Sequence, residues 1–262
     1  MNKLSVLMPI YNERRTLVEI VHRVLTSPVP LSLELVAVDD ASRDGSWEML
    51  LEMAAHDSRI RPFRQERNSG KGAAVRSAIE QMTGDVAVIQ DADLEYDPHE
   101  YPRLLTPLME GKADAVFGSR FVGYPRRVQG FWHTQKNQLL TLLSNVVNDL
   151  TLTDMETCYK MIRGDILREL RLTGDTFTLE PEITCRLAQY RARIYEVPIS
   201  YSGRSYEEGK KIGAMDGLKA VATMMHRRFV DRQCTRSPGA APVTALHPFE
   251  QPTPSLAKRK AA

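Results

Sequence analysis

The stretch "DVAVIQDADLEYDP" (residues 85–98) decides the fold. An apolar run, Val86 to Ile89, leads through Gln90 into Asp91, Asp93 and Glu95, acids at every second position. A short, continuously apolar run suits a strand buried on both faces of a parallel sheet. In an extended segment, side chains at i, i+2 and i+4 share a face, so the three acids point one way. Like charges gathered together need a cation or hydrogen-bond donors between them. Taken alone, D-x-D is common and reads first as an exposed acidic turn, with Asp97-Pro98 opening the next helix.

Outward from this stretch the pattern repeats. "LSVLM" (4–8) runs to Pro9, "LELVAV" (33–38) ends at Asp39-Asp40, and "ADAVFGS" (113–119) ends at Arg120. "RIRPFRQE" adds a strand before Asn68. Segments of helical period lie between: "TLVEIVHRVLTS", "SWEMLLEMAAH", "GAAVRSAIEQM" and "PHEYPRLLTPLMEG". This alternation predicts an α/β fold, a mostly parallel doubly wound sheet with right-handed crossovers and helices on both faces. Open parallel sheets bind ligands at the carboxyl ends of their strands. "YNE" (11–13), "DD" (39–40) and "DAD" (91–93) all fall there, so three acidic clusters converge on one crevice. That context turns the acidic run from a turn into a candidate site. Hard carboxylate oxygens suit Mg²⁺ or Mn²⁺, which take one or two carboxylates while phosphates and water complete the shell.

The second half is less regular. "FWHTQKNQLLTLLSNVVNDL" predicts an amphipathic helix, "TCYKMI" and "RIYEVPISY" strands, and "LEPEITCRLAQYR" a helix between them. "GRSYEEGKKIG" is a charged loop and "AMDGLKAVATMMHRRFV" a last helix. These divide the chain into one domain over 1–231, with a nucleotide-binding half (1–120) and an acceptor half (121–231). From 232 to 262 the composition turns to Pro, Ala, Ser and Thr without periodicity, which predicts a disordered tail.

Bulk numbers narrow the class. The 262 residues are 42% apolar and 26% charged, enough for one large core. A net charge of +2 does not call for nucleic acid as a partner. The three cysteines, Cys158, Cys185 and Cys234, show neither disulfide nor zinc spacing, so free thiols in a reducing cytoplasm are the simplest reading. No apolar stretch approaches the roughly 20 residues of a spanning helix. The chain reads as cytoplasmic, either soluble or peripheral on the membrane face.

"NSGKGAA" (68–74) is neither a Walker A loop nor G-x-G-x-x-G, although Asp91 stands about 20 residues on, as a ribose acid does in a dinucleotide fold. Its modest reading is a Gly-rich helix start whose N–H groups, with Lys71, face the crevice. Arg120 in "GSRF" reads as a phosphate clamp or a surface salt bridge. Arg204, Lys210 and Lys211 form a loop of cations that could close over a diphosphate, or a solvated charge run.

Together "PIYNE" (9–13), "VDDASRDGS" (38–46), "NSGKGAA", "QDADLEYDP" (90–98), "GSRF" (118–121), "TDMETCYK" (153–160), "LEPEI" (179–183) and "EVPISYSGRSYEEGKK" (196–211) make the chain resemble the family 2 glycosyltransferases with a GT-A fold. The likeness is to their dolichol-phosphate (polyprenol-phosphate) mannosyltransferase branch, over about residues 3 to 230. The resemblance implies an NDP-sugar donor, with a nucleoside held by Pro9, Tyr11 and Glu13 and by Val38, Asp39 and Asp40. Lys71, Asp91 and Ala92 would line the nucleotide site. Asp93, with Asp91 and Glu95, would hold the divalent cation, and Arg120, Arg204 and Lys210 would contact phosphates. It also implies inversion by a single displacement onto a polyprenyl phosphate, with Arg127 and Lys136 at the acceptor. A hydroxyl acceptor would need a base, for which Asp154 is the candidate; an N-cap or turn is its plainer role. The chain departs from the branch in "FWHTQKNQ", less basic than usual, and in Glu95, where some members carry Gln. The helices near 139–150 and 215–230 could meet a bilayer or a membrane-protein partner, although core packing is the commoner explanation. A nucleotidyltransferase and a non-catalytic nucleotide-binding module are the readings from other classes.

Overall fold

A computed structural model describes residues 1–123, 127–128, 130–176, 178–203 and 214–231, with only the backbone of 214–216 and 218. Five strands follow the predicted runs: β1 (Lys3–Ile10), β2 (Ser32–Asp39), β3 (Ile60–Arg64), β4 (Val86–Ile89) and β5 (Ala115–Ser119). Between them stand α1 (Leu17–Leu25), α2 (Ser46–His56), α3 (Lys71–Gln81) and α4 (Tyr101–Met109). The second half adds α5 (Phe131–Asn148), β6 (Lys160–Arg163), α6 (Gly164–Glu169), α7 (Leu179–Tyr190), β7 (Ile194–Pro198) and α8 (Ala214–Phe229). Helix α6 was not legible in the sequence: six residues are too few for a period to show.

The sheet order is β3-β2-β1-β4-β6-β5-β7. Strands β1 to β4 are mutually parallel, and β5 pairs with β7 in parallel. The chain leaves β1 through β2 to β3, then returns to β4 on the other side of β1, so the sheet has its switch point there. The core is the apolar runs themselves: Leu4, Val6, Leu7, Leu35, Val36, Val86 and Val88 are fully buried. Strand β6 alone runs antiparallel, inserted between β4 and β5. Its start therefore lies at the edge where β4 and β5 end, which carries "TDMETCYK" into the crevice.

Helix α5 meets the core-packing expectation only in part: Leu140 belongs to the core and Val147 packs against it. Its buried positions are Asn137, Leu140, Thr141, Ser144 and Asn148, mostly polar. Trp132 (80% exposed), Leu139, Leu142 and Val146 (75%) face outward. Much of the helix's apolar surface is thus turned outward. In α8, Ala220 and Met224 are buried while Met225 and Phe229 are exposed. No described helix is long and apolar enough to cross a membrane.

Candidate active site

The crevice forms where β1, β2 and β4 end. Beyond β1, Asn12 takes a left-handed φ of 55°, a conformation Asn tolerates better than most residues. Its N–H donates to Ser42 Oγ (2.9 Å), and its Oδ1 accepts from the Arg43 N–H (2.9 Å). Thr16 then joins two motifs, donating toward Glu13 Oε2 (3.1 Å) and the Ala92 carbonyl (2.8 Å). Tyr11 sits at the rim, 36% exposed, and Pro9 lies within β1.

Asp39 and Asp40 end up in different roles. Asp40 Oδ1 and Oδ2 accept from the Ser69 and Gly70 N–H groups, both at 2.8 Å. Burial pushes its carboxyl up, and those two donors pull against it. Asp39 Oδ2 faces the Ser42 N–H (3.1 Å) and Arg64 Nε (3.2 Å). Its Oδ1 is buried with no hydrogen-bond partner among the described residues. Buried acceptors are normally satisfied, so this oxygen keeps an unused acceptor capacity.

The Gly-rich segment differs from its expected phosphate loop. Ser69 and Gly70 give their N–H groups to Asp40, while Gly72 and Ala73 give theirs to the Asp175 carbonyl (2.9 and 3.3 Å). A Cβ on Gly72 would run into the Gly174 carbonyl oxygen, and one on Gly70 into that of Asp175. These glycines admit the 173–176 backbone against the start of α3. Lys71 alone reaches the crevice. Its Nζ lies 2.8 Å from Asp91 Oδ1 and 2.9 Å from Glu180 Oε1 on α7. Burial by itself would favour the neutral amine, but Asp91, Cys158 and Glu180 carry its pKa well above the ordinary value.

The acidic run separates into distinct roles. Asp91 faces Lys71. Asp93, 8% exposed, accepts from the Glu95 N–H through Oδ1 (3.1 Å). Glu95 Oε2 accepts from the Tyr201 hydroxyl (2.7 Å), whose pKa is raised by burial and by that carboxylate, so it remains a donor. Asp97 caps the 3₁₀ turn Pro98–Glu100 by accepting from the His99 N–H (3.0 Å). Among the described residues no three or more His, Cys, Asp or Glu side chains gather as a metal cluster, so the three-carboxylate expectation is not assembled. Gln90, fully buried, anchors the run from below. Its Oε1 accepts from Tyr101 (2.6 Å) and Tyr159 (2.7 Å), and its Nε2 donates to the Asp91 carbonyl (3.1 Å).

Arg120 and Asp154 form a buried pair. Asp154 is fully buried, and its Oδ2 takes the Arg120 N–H (3.0 Å) and Nε (2.7 Å), its Oδ1 the second guanidinium nitrogen (2.7 Å). The guanidinium stacks 5.1 Å from the Tyr201 ring centroid. Here Asp154 is the counter-ion of an arginine, without the opening to a hydroxyl that a general base requires. Two of the three donor nitrogens Arg120 would bring to a phosphate are already engaged. Val38 is buried in the core and Ala92 beneath the crevice. Arg127 reaches the Gly203 carbonyl (3.3 Å), and Lys136 is exposed on α5. Arg204 and Lys210 lie outside the described residues, as do Lys211, Cys234 and the 232–262 segment.

Sequence reasoning assigned no role to Gln90, Thr16, Glu180 and Tyr201, although all four stand inside or beside the segments it quoted.

The crevice lies at the carboxyl edge of the sheet, where open parallel sheets bind ligands. The family described as "Glycosyl transferase family 2" matches residues 5–171, and the chain belongs to it and is by that membership a glycosyltransferase. It is 31% identical over 224 residues to the undecaprenyl-phosphate mannosyltransferase of Micrococcus luteus, covering 82% of this chain and 90% of that one. It is 29% identical over 216 residues to the dolichol-phosphate mannosyltransferase of Pyrococcus furiosus, covering 80% of this chain but 60% of that one. The chain thus spans about three-fifths of the Pyrococcus enzyme's length. Its fold is that of glucosyl-3-phosphoglycerate synthase from Mycobacterium tuberculosis, solved with Mn²⁺ and UDP: TM-score 0.65 at 20% identity, over 87% of this chain and 80% of that one. The GT-A expectation holds.

Proposed function

We propose that the chain inverts a sugar from an NDP-sugar, GDP-mannose or a UDP-hexose, onto a polyprenyl phosphate in one displacement with Mg²⁺ or Mn²⁺. The observation that supports this is the crevice where β1, β2 and β4 end: Asp39, with a buried oxygen that has no partner among the described residues, is proposed for the nucleoside, and Asp93 for the diphosphate end. Hard carboxylate oxygens fit a hard divalent cation, and one or two suffice when phosphates complete the shell. Asp93 would hold the ion, while Asp91 stays paired with Lys71 and Glu95 with Tyr201. When bound, the ion offsets charge developing on the leaving diphosphate.

The chain's own residues do the rest. Asp39 accepts from the nucleoside. Lys71, kept charged between Asp91 and Glu180, supplies a cation near the phosphates. An acceptor phosphate is already ionised and needs no base, which suits the engagement of Asp154 by Arg120. The names of the relatives support a lipid-phosphate acceptor, and the outward-facing apolar side chains of α5 give such an acceptor's membrane a surface to meet.

A donor panel tests this: NDP release from GDP-mannose and UDP-hexoses, with Mn²⁺ or EDTA, with and without a short polyprenyl phosphate. Full rates in EDTA would remove the metal. Equal rates with a sugar hydroxyl in place of the lipid phosphate would remove the acceptor. For the membrane face, Leu142→Glu with Val146→Glu should weaken binding to phosphatidylglycerol vesicles by about tenfold or more, since two exposed apolar side chains are lost. Unchanged co-sedimentation would refute it.

A further inference from the structure

Glu156 sits in the middle of "TDMETCYK" and has no role in the function derived so far. The segment around it is held on every side. Asp154 is locked on Arg120. The Cys158 N–H donates to the Tyr96 hydroxyl (3.1 Å), and its Sγ lies 3.6 Å from Lys71 Nζ. From beneath, buried Lys160 donates to the carbonyls of Met155 (2.9 Å) and Thr157, the residues flanking Glu156. The backbone is fixed, yet Glu156 itself stays partly exposed.

Among the described residues its Oε1 is buried and has no hydrogen-bond partner. Leaving a carboxylate oxygen in that state is costly; the carbonyl oxygen of the neutral acid costs less. The charged groups facing it are Glu180 of α7, Asp154 of its own segment, Lys160 of β6 and Arg120 beyond β5. Burial, then Glu180, push its carboxyl up to about 7 against the pull of Lys160 and Arg120. Two residues to either side, Asp154 holds Arg120 and Cys158 Sγ approaches Lys71 Nζ, the partner of Asp91, so the segment carrying Glu156 borders the donor crevice.

We propose that Glu156 is a further substrate-contacting residue, whose carboxyl donates a hydrogen bond to a phosphate oxygen bound in the crevice. This rests on the reading of the crevice as a site for phosphate-bearing substrates. Phosphate oxygens accept hydrogen bonds only, so an ionised Glu156 would repel them where the acid binds them. The oxygen belongs either to the donor diphosphate or to the acceptor phosphate, and no covalent bond to Glu156 is made.

Carboxyl-carbon NMR of the ligand-free protein, with Glu156→Gln to assign the resonance, tests the premise without any turnover. A titration near neutrality is expected; one in the ordinary carboxylate range would overturn the proposal whatever becomes of the transferase reading. Addition of UDP or GDP with Mg²⁺, or of a short polyprenyl phosphate, should move that titration upward for the ligand whose phosphate it touches. Neither ligand moving it would overturn the contact. In rate measurements, kcat/KM for that same substrate should fall about tenfold per pH unit above neutrality. Glu156→Gln, a permanent N–H donor, should be slower at low pH yet flat across the range. The same slope in that variant would overturn the proposal. So would a rate that rises through neutrality and vanishes in the variant, which would make Glu156 a general base.

Discussion

Asp154→Asn tests whether this carboxylate holds the fold or does chemistry. The substitution keeps the shape of the side chain and removes its charge. Arg120, 8% exposed, is left with a buried guanidinium and no anion, where it had three charge-assisted hydrogen bonds of 2.7 to 3.0 Å. Removing one partner of a buried pair costs about 3–5 kcal/mol. For a chain of this size each kcal/mol lowers Tm by about 2–4 °C, so a fall of about 6–20 °C is expected. Removing both charges, as in Asp154→Leu with Arg120→Met, should recover a large part of that loss, because no buried ion remains unpaired. Thermal and urea unfolding of Asp154→Leu, Arg120→Met and the double variant form the cycle. If Asp154→Asn melted with the wild type while NDP release collapsed, the pair would be structurally idle and Asp154 a catalytic base.

Asp93→Ala should lower metal-dependent NDP release by about 10²–10³-fold or more while leaving unfolding unchanged, as judged by steady-state rates and thermal melts. Glu34, buried in the sheet, should govern acid stability. Burial alone would raise its pKa, but hydrogen bonds from Lys3, Ser5 and Thr83 outweigh that and hold it at about 2. A depressed carboxyl stabilises above its unfolded pKa, so about 3 kcal/mol should be lost as pH falls from about 4.5 to 2. Glu34→Gln should remove that loss and be less stable at neutral pH in urea melts. Gly72→Ala should destabilise by about 2 kcal/mol or more, because its Cβ meets the Gly174 carbonyl, and should raise the donor KM by displacing Lys71.

Much of this molecule is local information. The apolar runs 4–8, 33–38, 86–89 and 115–119 are strands because each is buried on both faces, and a property of consecutive residues can be read from consecutive residues. The convergence of "YNE", "DD" and "DAD" follows too, since parallel strands end at one edge. What the side chains then do at that edge depends on partners far along the chain. Lys71 meets Glu180 across 109 positions, Thr16 meets Ala92 across 76, and Arg120 meets Asp154 across 34. No spacing rule joins such pairs, so "NSGKGAA" looked like a phosphate loop although its N–H groups belong to Asp40 and Asp175. Helix α5 shows the same division. Its amphipathic period was plain, but which face turns inward is set by what packs on it, and here the buried positions are mostly polar. By itself, then, the sequence determined the strands, their order of chemistry and the edge that carries it. Only the tertiary structure decided which acids remain available to a ligand, because a carboxylate's role is set by the charges and donors the fold brings within about 3 Å of it.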